Sequence, residues 1–299
     1  MAKDLIPIFF NHLTGFQDHG SIDVFLFTLG GDTLAAFGLS RLLREFTSKV
    51  GVLIPEKCQS AGTLFVLGAN QVFMTRAATL SPIDPSISGP LNPVIEIAPG
   101  QRQIVPVSVE SVAGYKALVR EDWKLNHENT GTAFKILAEK VNPLSLGDVY
   151  RSQKQIARLA RELMGSHRRD KKNIQSIIDT LTRELGSHDY LIFRNEARHL
   201  LGEQVAKDDP ALETMVWELY EDFAADMELG KAYDPGIALH AASAAGQSIP
   251  TTIVQKKVII ESSSGSDVVE IEILLSPFQA GPVPQTLQQV VRAGWKHYL

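Results

Sequence analysis

Residues 22–32 read Ile22-Asp23-Val24-Phe25-Leu26-Phe27-Thr28-Leu29-Gly30-Gly31-Asp32, and the fold class follows from how that run stops. β-branched and aromatic side chains dominate its first part, which suits a buried strand. Gly30-Gly31 then turns the chain, and Asp32 or Thr33 stands where a helix needs a cap. Leu34, Phe37, Leu39, Leu42, Leu43 and Phe46 recur at helical spacing after it. Val50 to Pro55 reads as a second strand, Ala61 to Leu67 as a buried helix of small and apolar residues, and Gln71 to Thr75 as a third strand. Strands alternating with helices predict a parallel sheet flanked by helices, an α/β fold.

The chain changes character further along. Leu80-Ser81-Pro82-Ile83-Asp84-Pro85-Ser86 and Gly89-Pro90-Leu91-Asn92-Pro93 are too rich in proline for regular structure and predict a rigid loop. Loops beyond the carboxyl ends of parallel strands line the ligand crevice of such sheets. Residues 109–228 turn helical, with amphipathic patterns starting at Leu146-Gly147-Asp148 and running from Ile174 to Leu185. Residues 229–252 read as loop. Thr252 to Glu261 and Val268 to Leu275 alternate around Ser262-Ser263-Ser264-Gly265-Ser266-Asp267, which predicts a C-terminal β-hairpin. The expected division is a core with a helical extension over residues 1–205 and an accessory helix and hairpin over 206–299.

Composition narrows the function classes. Of 299 residues 44% are hydrophobic and 21% charged, as in an ordinary globular chain, and the formal net charge is −5, so no global basic field invites nucleic acid. The local run His167-Arg168-Arg169-Asp170-Lys171-Lys172 reads as a solvated loop. Cys58 is the single cysteine, which excludes an internal disulfide and a cysteine zinc cluster and suits a reducing, cytoplasmic setting. The N-terminal apolar run is short and broken by Pro7, and no window reaches about 18 uninterrupted apolar residues. Membrane attachment would therefore need a membrane-protein partner. No glycine-rich dinucleotide fingerprint, phosphate loop or zinc-binding histidine pair is present, so neither cofactor nor metal is expected.

Chemistry enters at Gln59-Ser60-Ala61-Gly62-Thr63. A serine at a helix start, close to backbone N–H groups, is what a hydroxyl nucleophile with an oxyanion site requires. Ser60 is equally readable as a plain helix N-cap. In a parallel sheet, however, the Gly30-Gly31 turn and the Ser60 turn come to the same carboxyl edge, where their N–H groups converge.

These residues resemble a known family. Leu26 to Ala36, Ser60-Ala61-Gly62-Thr63-Leu64, Leu67-Gly68-Ala69-Asn70 and Leu80-Ser81-Pro82-Ile83-Asp84-Pro85 look like the serine dehydrogenase proteinases, which are similar to signal peptide peptidase A and the Clp protease proteolytic subunit and share the crotonase-like fold. The resemblance extends to Gly147 to Ser152 and Ser187 to Ala197, so it covers roughly residues 20–205. It implies a serine peptidase acting on peptide or protein substrates, with Ser60 as nucleophile and the N–H groups of Gly31 and Ala61 as oxyanion donors. Gly30, Gly62 and Asp84 are the substrate-binding positions expected beside them. The family strand end usually reads Thr-Pro-Gly-Gly; here Leu29 replaces the proline.

The general base stays open between two residues. A Clp-type triad would place a histidine where this chain has Asp84, whereas a signal peptide peptidase A-type dyad would use a desolvated lysine, for which Lys116 in Val112-Ala113-Gly114-Tyr115-Lys116-Ala117-Leu118 is the candidate. His188 competes, with Asp189 or Tyr190 to orient its ring. Homo-oligomerisation is expected from relatives of this fold. The rival readings are a crotonase-type acyl-CoA enzyme, which uses paired N–H groups on a thioester enolate, and a scaffold that keeps the fold without catalysis.

Overall fold

A computed structural model of the chain describes residues 1–15, 20–83, 86–87, 89–98, 100–167, 173–279 and 284–299. The first part runs α1 (Leu5–Thr14), β1 (Ile22–Phe25), α2 (Thr33–Phe46), β2 (Val50–Ile54), β3 (Lys57–Cys58), α3 (Ala61–Val66), β4 (Gln71–Met74), β5 (Thr79–Leu80) and β6 (Ser86–Ile87). Then come β7 (Val94–Ala98), β8 (Gln101–Ile104), β9 (Val107–Ser108), α4 (Val109–Ala117), α5 (His127–Lys140), α6 (Pro143–Gly165), α7 (Ile174–Asp179), β10 (Ile192–Phe193) and α8 (Arg194–Leu201). The chain closes with α9 (Pro210–Asp226), α10 (Pro235–Ala244), β11 (Thr251–Ser262), β12 (Gly265–Gln279) and β13 (Pro284–Tyr298). Two compact units result, one of Met1–Leu5 with Gly20–Asp209 and one of Ile6–His19 with Pro210–Leu299.

In the first unit β1, β2 and β4 form the expected parallel sheet in the order β1-β2-β4. Val50, Val52 and Ile54 alternate inward along β2. Asp32 caps α2, its carboxylate accepting from the N–H groups of Leu34 and Ala35 at 2.7 and 3.3 Å. Every residue of α3 is buried, so this short helix lies within the core and not over it. Its carboxyl end is held from far along the chain: Gln204 Nε2 donates to the carbonyls of Val66 and Ala69 at 3.0 and 2.9 Å. These bonds satisfy carbonyls that the helix leaves without partners.

Several elements differ from the sequence expectation. The long helix starts at Pro143 and not at Leu146, because Asn142 accepts from Leu144 N–H at 2.9 Å and Pro143 occupies the first turn, where its missing N–H costs nothing. The helix expected over 174–185 is α7 followed by a π-helical turn, Thr180–Glu184. Residues 235–244, expected as loop, form α10, since Asp234 caps it through Ile237 N–H at 2.9 Å and Pro235 opens it. The exposed hairpin β7–β8 follows the second proline-rich stretch, over residues to which the sequence reading assigns no element. Arg168 to Lys172 of the basic run, and Asp84, lie outside the described residues. Among the described residues no helix is long and apolar enough to cross a membrane.

The second unit contains the β11–β12 hairpin, with β13 added to its far side, so the hairpin is part of a three-stranded antiparallel sheet. Polar Thr286, Gln288 and Gln289 break the apolar alternation that would have marked β13 in the sequence. Glu270 is buried on this sheet and accepts from Lys296 Nζ and from Tyr298 Oη, both at 2.6 Å. The bond from Lys296 above all, then that from Tyr298, holds its carboxyl below the usual range. An unfolded Glu titrates near ~4.3, so in the interval between the two pKa values the unfolded chain binds more protons and stability rises with pH. The stabilisation by Glu270 is therefore present above that interval and lost as pH falls through the folded value. Thermal unfolding followed from pH 6 down to about pH 3 should show a steeper acid loss in the native protein than in Glu270→Gln.

Candidate active site

The Ser60 turn is built where two strand ends run parallel and hydrogen-bonded to each other. Beyond β1 the chain stays paired with β3: Thr28 N–H donates to Lys57 O at 2.8 Å, and Gln59 N–H donates to Thr28 O at 3.0 Å. Both turns thus leave the sheet at one rim. Gly30 and Gly31 have φ of +111° and +135°, conformations that side-chain-bearing residues rarely adopt. A Cβ placed on Gly30 would lie 3.1 Å from Ser60 Cβ and 3.7 Å from Ser60 Oγ. The two turns are in contact.

Ser60 itself is strained. Its φ is 51° and ψ −108°, a region costly for any residue with a Cβ and one found preferentially at functional positions. The plain N-cap reading expected its hydroxyl on the first turn of α3; the side chain makes no capping bond, and Oγ has no hydrogen-bond partner among the described residues. The Ser60 N–H instead donates to Ser81 Oγ at 2.8 Å. Ser81 is in turn tied to Thr63, whose hydroxyl donates to Ser81 O at 2.8 Å and accepts from Ser81 N–H at 3.2 Å. This buried pair of hydroxyl residues fixes the strained turn. No motif gives Ser81 or Thr63 a role; the signal in the sequence is a serine just before Pro82 in a buried apolar segment, where a hydroxyl pairs with backbone.

Ala61 opens α3 and Gly31 opens the turn before α2, so neither N–H has an intrahelical acceptor. Neither has any acceptor among the described residues. Gly62 is needed for the close approach of α3, since a Cβ there would lie 2.5 Å from Thr28 Cγ2 and 2.9 Å from Cys58 Sγ. Burial pushes the Cys58 thiol far above its ordinary pKa, which leaves it protonated and unreactive. Alongside Gly31 runs the backbone of Met1: its nitrogen donates to Gly30 O, and its carbonyl accepts from Asp32 N–H at 2.8 Å. Bonds to the residues on either side of Gly31 are those of a parallel β-bridge. The rim therefore accepts an extended backbone.

The candidate bases are not gathered there. Lys116 is exposed near the end of α4 and His188 is exposed in the loop before β10, and neither is hydrogen-bonded to Ser60. Tyr190 Oη donates to the Glu196 carboxylate at 3.2 and 3.3 Å, and that hydrogen bond raises the phenol pKa. It does not orient His188. Arg151 pairs with Asp148 at 2.8 Å on one turn of α6, a helix-surface ion pair.

Two uncharacterized proteins of Methanocaldococcus jannaschii are similar to this chain, at 36% and 35% identity over 66 residues. That stretch is 22% of this chain and 23% of each relative, so the match spans about a quarter of their length. Residues 14–103, which hold both rim turns, Ser60 and Ser81, match the family of ClpP-like SDH-type serine proteinases.

Proposed function

We propose that the chain is a crotonase-like serine endopeptidase that cleaves peptide bonds through an acyl-enzyme at Ser60. The observation that carries this reading is the strained turn itself: an unpaired Ser60 hydroxyl beside Gly30, with the free N–H groups of Gly31 and Ala61 at the same rim. In the first step Ser60 Oγ attacks the peptide carbonyl carbon and its proton passes to the base. The carbonyl oxygen takes up the negative charge and is held by the two N–H groups, which act only once that charge develops. Collapse breaks the C–N bond, the base returns the proton to the departing amine, and water then hydrolyses the ester by the same route.

Lys116 or His188 serves as the base. Because both are exposed within one chain, we place its delivery to Ser60 in a homo-oligomer or in closure over bound substrate. Gly30, Gly62 and Asp84 remain the proposed substrate contacts, and the extended seat beside Gly31 suits a peptide better than a thioester. The proposed setting is the cytoplasm, with a membrane-protein substrate or partner left open and no cofactor required.

A fluorophosphonate probe tests the nucleophile directly. Incubation with the full-length protein, followed by digestion and peptide mapping, is expected to find the label on Ser60. Cooperatively folded protein that leaves Ser60 unlabelled would overturn the assignment.

A further inference from the structure

The second unit holds a hydroxyl, an imidazole and a carboxylate in series. His12 on α1 is buried at 6% exposure; its Nδ1 lies 2.6 Å from Ser262 Oγ, and its Nε2 lies 3.0 Å from Asp267 Oδ2. With Asp267 ionised, Nε2 carries the proton that the carboxylate accepts, and this leaves Nδ1 as the acceptor of the Ser262 hydroxyl. The order is that of a nucleophilic serine centre: hydroxyl to imidazole base, imidazole N–H to a carboxylate that fixes tautomer and orientation. Backbone geometry supports the hydroxyl as well. Ser264 N–H donates to Ser262 Oγ at 3.1 Å, a bond that favours negative charge developing on that oxygen.

The placement differs from a plain structural histidine in two respects. First, Asp267 is largely buried, and its Oδ2 also accepts from His297 Nδ1 at 3.2 Å, so the carboxylate is held from two sides. Second, the group does not sit in solid core. A cleft of about 410 Å³ opens beside it, lined by Asn11, His12, Ser264, Asp267 and His297. Ser262 is half-buried, on the last residue of β11 before the two-residue turn. A cleft of this size and lining takes a small polar molecule, not a folded chain.

We propose that Ser262, His12 and Asp267 form a second nucleophilic serine centre, separate from Ser60, that accepts short polar acyl esters. Ser262 Oγ attacks the ester carbonyl carbon while its proton moves to His12 Nδ1. The C–O bond to the alcohol breaks, and His12 returns the proton to the departing alkoxide. Water, deprotonated by His12, then releases the acid and restores the hydroxyl. Asp267 acts through His12 and is a positioning residue; the Asn11 side-chain amide and the Ser264 hydroxyl are the cleft groups able to donate to the developing oxyanion.

The test uses full-length protein carrying Ser60→Ala, so that Ser60 cannot take the probe. Ser262 Oγ is expected to attack the phosphorus of a small fluorophosphonate, passing its proton to His12 and expelling fluoride, so that a phosphonyl group on Ser262 is found by peptide mapping. His12→Gln should slow labelling by about 100-fold or more, the range of a lost general base. Asp267→Asn should slow it as well, and Asp267→Glu should recover part of that loss, which a merely structural carboxylate would not do. Folding of each variant is checked by cooperative thermal unfolding. No label on Ser262 in folded protein, or a label rate unchanged in folded His12→Gln, would overturn the proposal. Because the mapped peptides differ, loss of the Ser262 label and loss of the Ser60 label in the native sequence are read independently.

Discussion

Ser60→Gly is expected to abolish peptide hydrolysis and, in the same protein, to raise thermal stability. The two effects have one origin. Ser60 is held at φ 51° and ψ −108°, where a Cβ is crowded by the backbone, and such conformations cost on the order of 1–3 kcal/mol. Glycine occupies that region freely but adds roughly 0.5–1 kcal/mol of unfolded-state entropy, so the net gain is about 1 kcal/mol. The hydroxyl contributes nothing to offset this, because it neither caps α3 nor bonds a neighbour. The proposed hydrolysis, in contrast, would lose its nucleophile, and losses of about 10⁴-fold or more follow removal of a catalytic serine. Differential scanning calorimetry beside a fluorogenic peptide assay reads both. A destabilised Ser60→Gly would mean that the hydroxyl has a structural bond after all, and an active one would remove Ser60 from the chemistry.

That opposition between stability and activity also explains which parts of the site were legible in the sequence. The parallel sheet was readable because Ile22–Phe25, Val50–Ile54 and Gln71–Met74 are short apolar runs separated by a well-capped helix and by a buried one. Local pattern and tertiary placement agree there. The meeting of Gly30 with Ser60 followed from topology, since parallel strands send both turns to one rim. What holds the turn did not follow. Ser81 reaches Ser60 N–H from 21 residues away, and Gln204 reaches Val66 from 138 residues away, distances over which periodicity carries no signal. The base escaped for a related reason. Lys116 in α4 and His188 in the loop before β10 lie on elements outside the sheet, both exposed and neither hydrogen-bonded to Ser60, so strand and helix periodicity says nothing of their relation to the rim.

The second unit shows the same limit in another form. Strands β11 and β12 alternate cleanly and were readable, whereas His12 sits 250 residues before the serine it touches. Nothing in the spacing of His12, Ser262 and Asp267 marks them as partners. Their relation exists only after α1 packs in the unit that contains residues 210–299.

Gly62→Ala is the variant expected to damage fold and site together. The added methyl carbon would stand 2.5 Å from Thr28 Cγ2 and 2.9 Å from Cys58 Sγ, below any normal contact, and Cys58 is fully buried. Cys58 has no solvent to move into, and the Thr28 side chain is held by Gly30, whose N–H donates to Thr28 Oγ1 at 3.1 Å. Thr28 is tied by its backbone to Lys57 and Gln59, and Cys58 continues the paired strand between them, so α3 must move off the sheet. Overpacking of this kind costs about 1–3 kcal/mol, which a urea midpoint would report. The displacement also reaches the chemistry, because Ser60 and Ala61 lead directly into Gly62 and a shift of about 1 Å in a reacting group costs on the order of 100-fold in rate. Gly131→Ala in α5, where nothing lies within 4 Å of the new carbon, supplies the contrast: it should stabilise by roughly 0.5–1 kcal/mol, the helix preference for alanine over glycine. Equal behaviour of the two variants would show that α3 is not packed as tightly on Thr28 and Cys58 as the Ser60 turn requires.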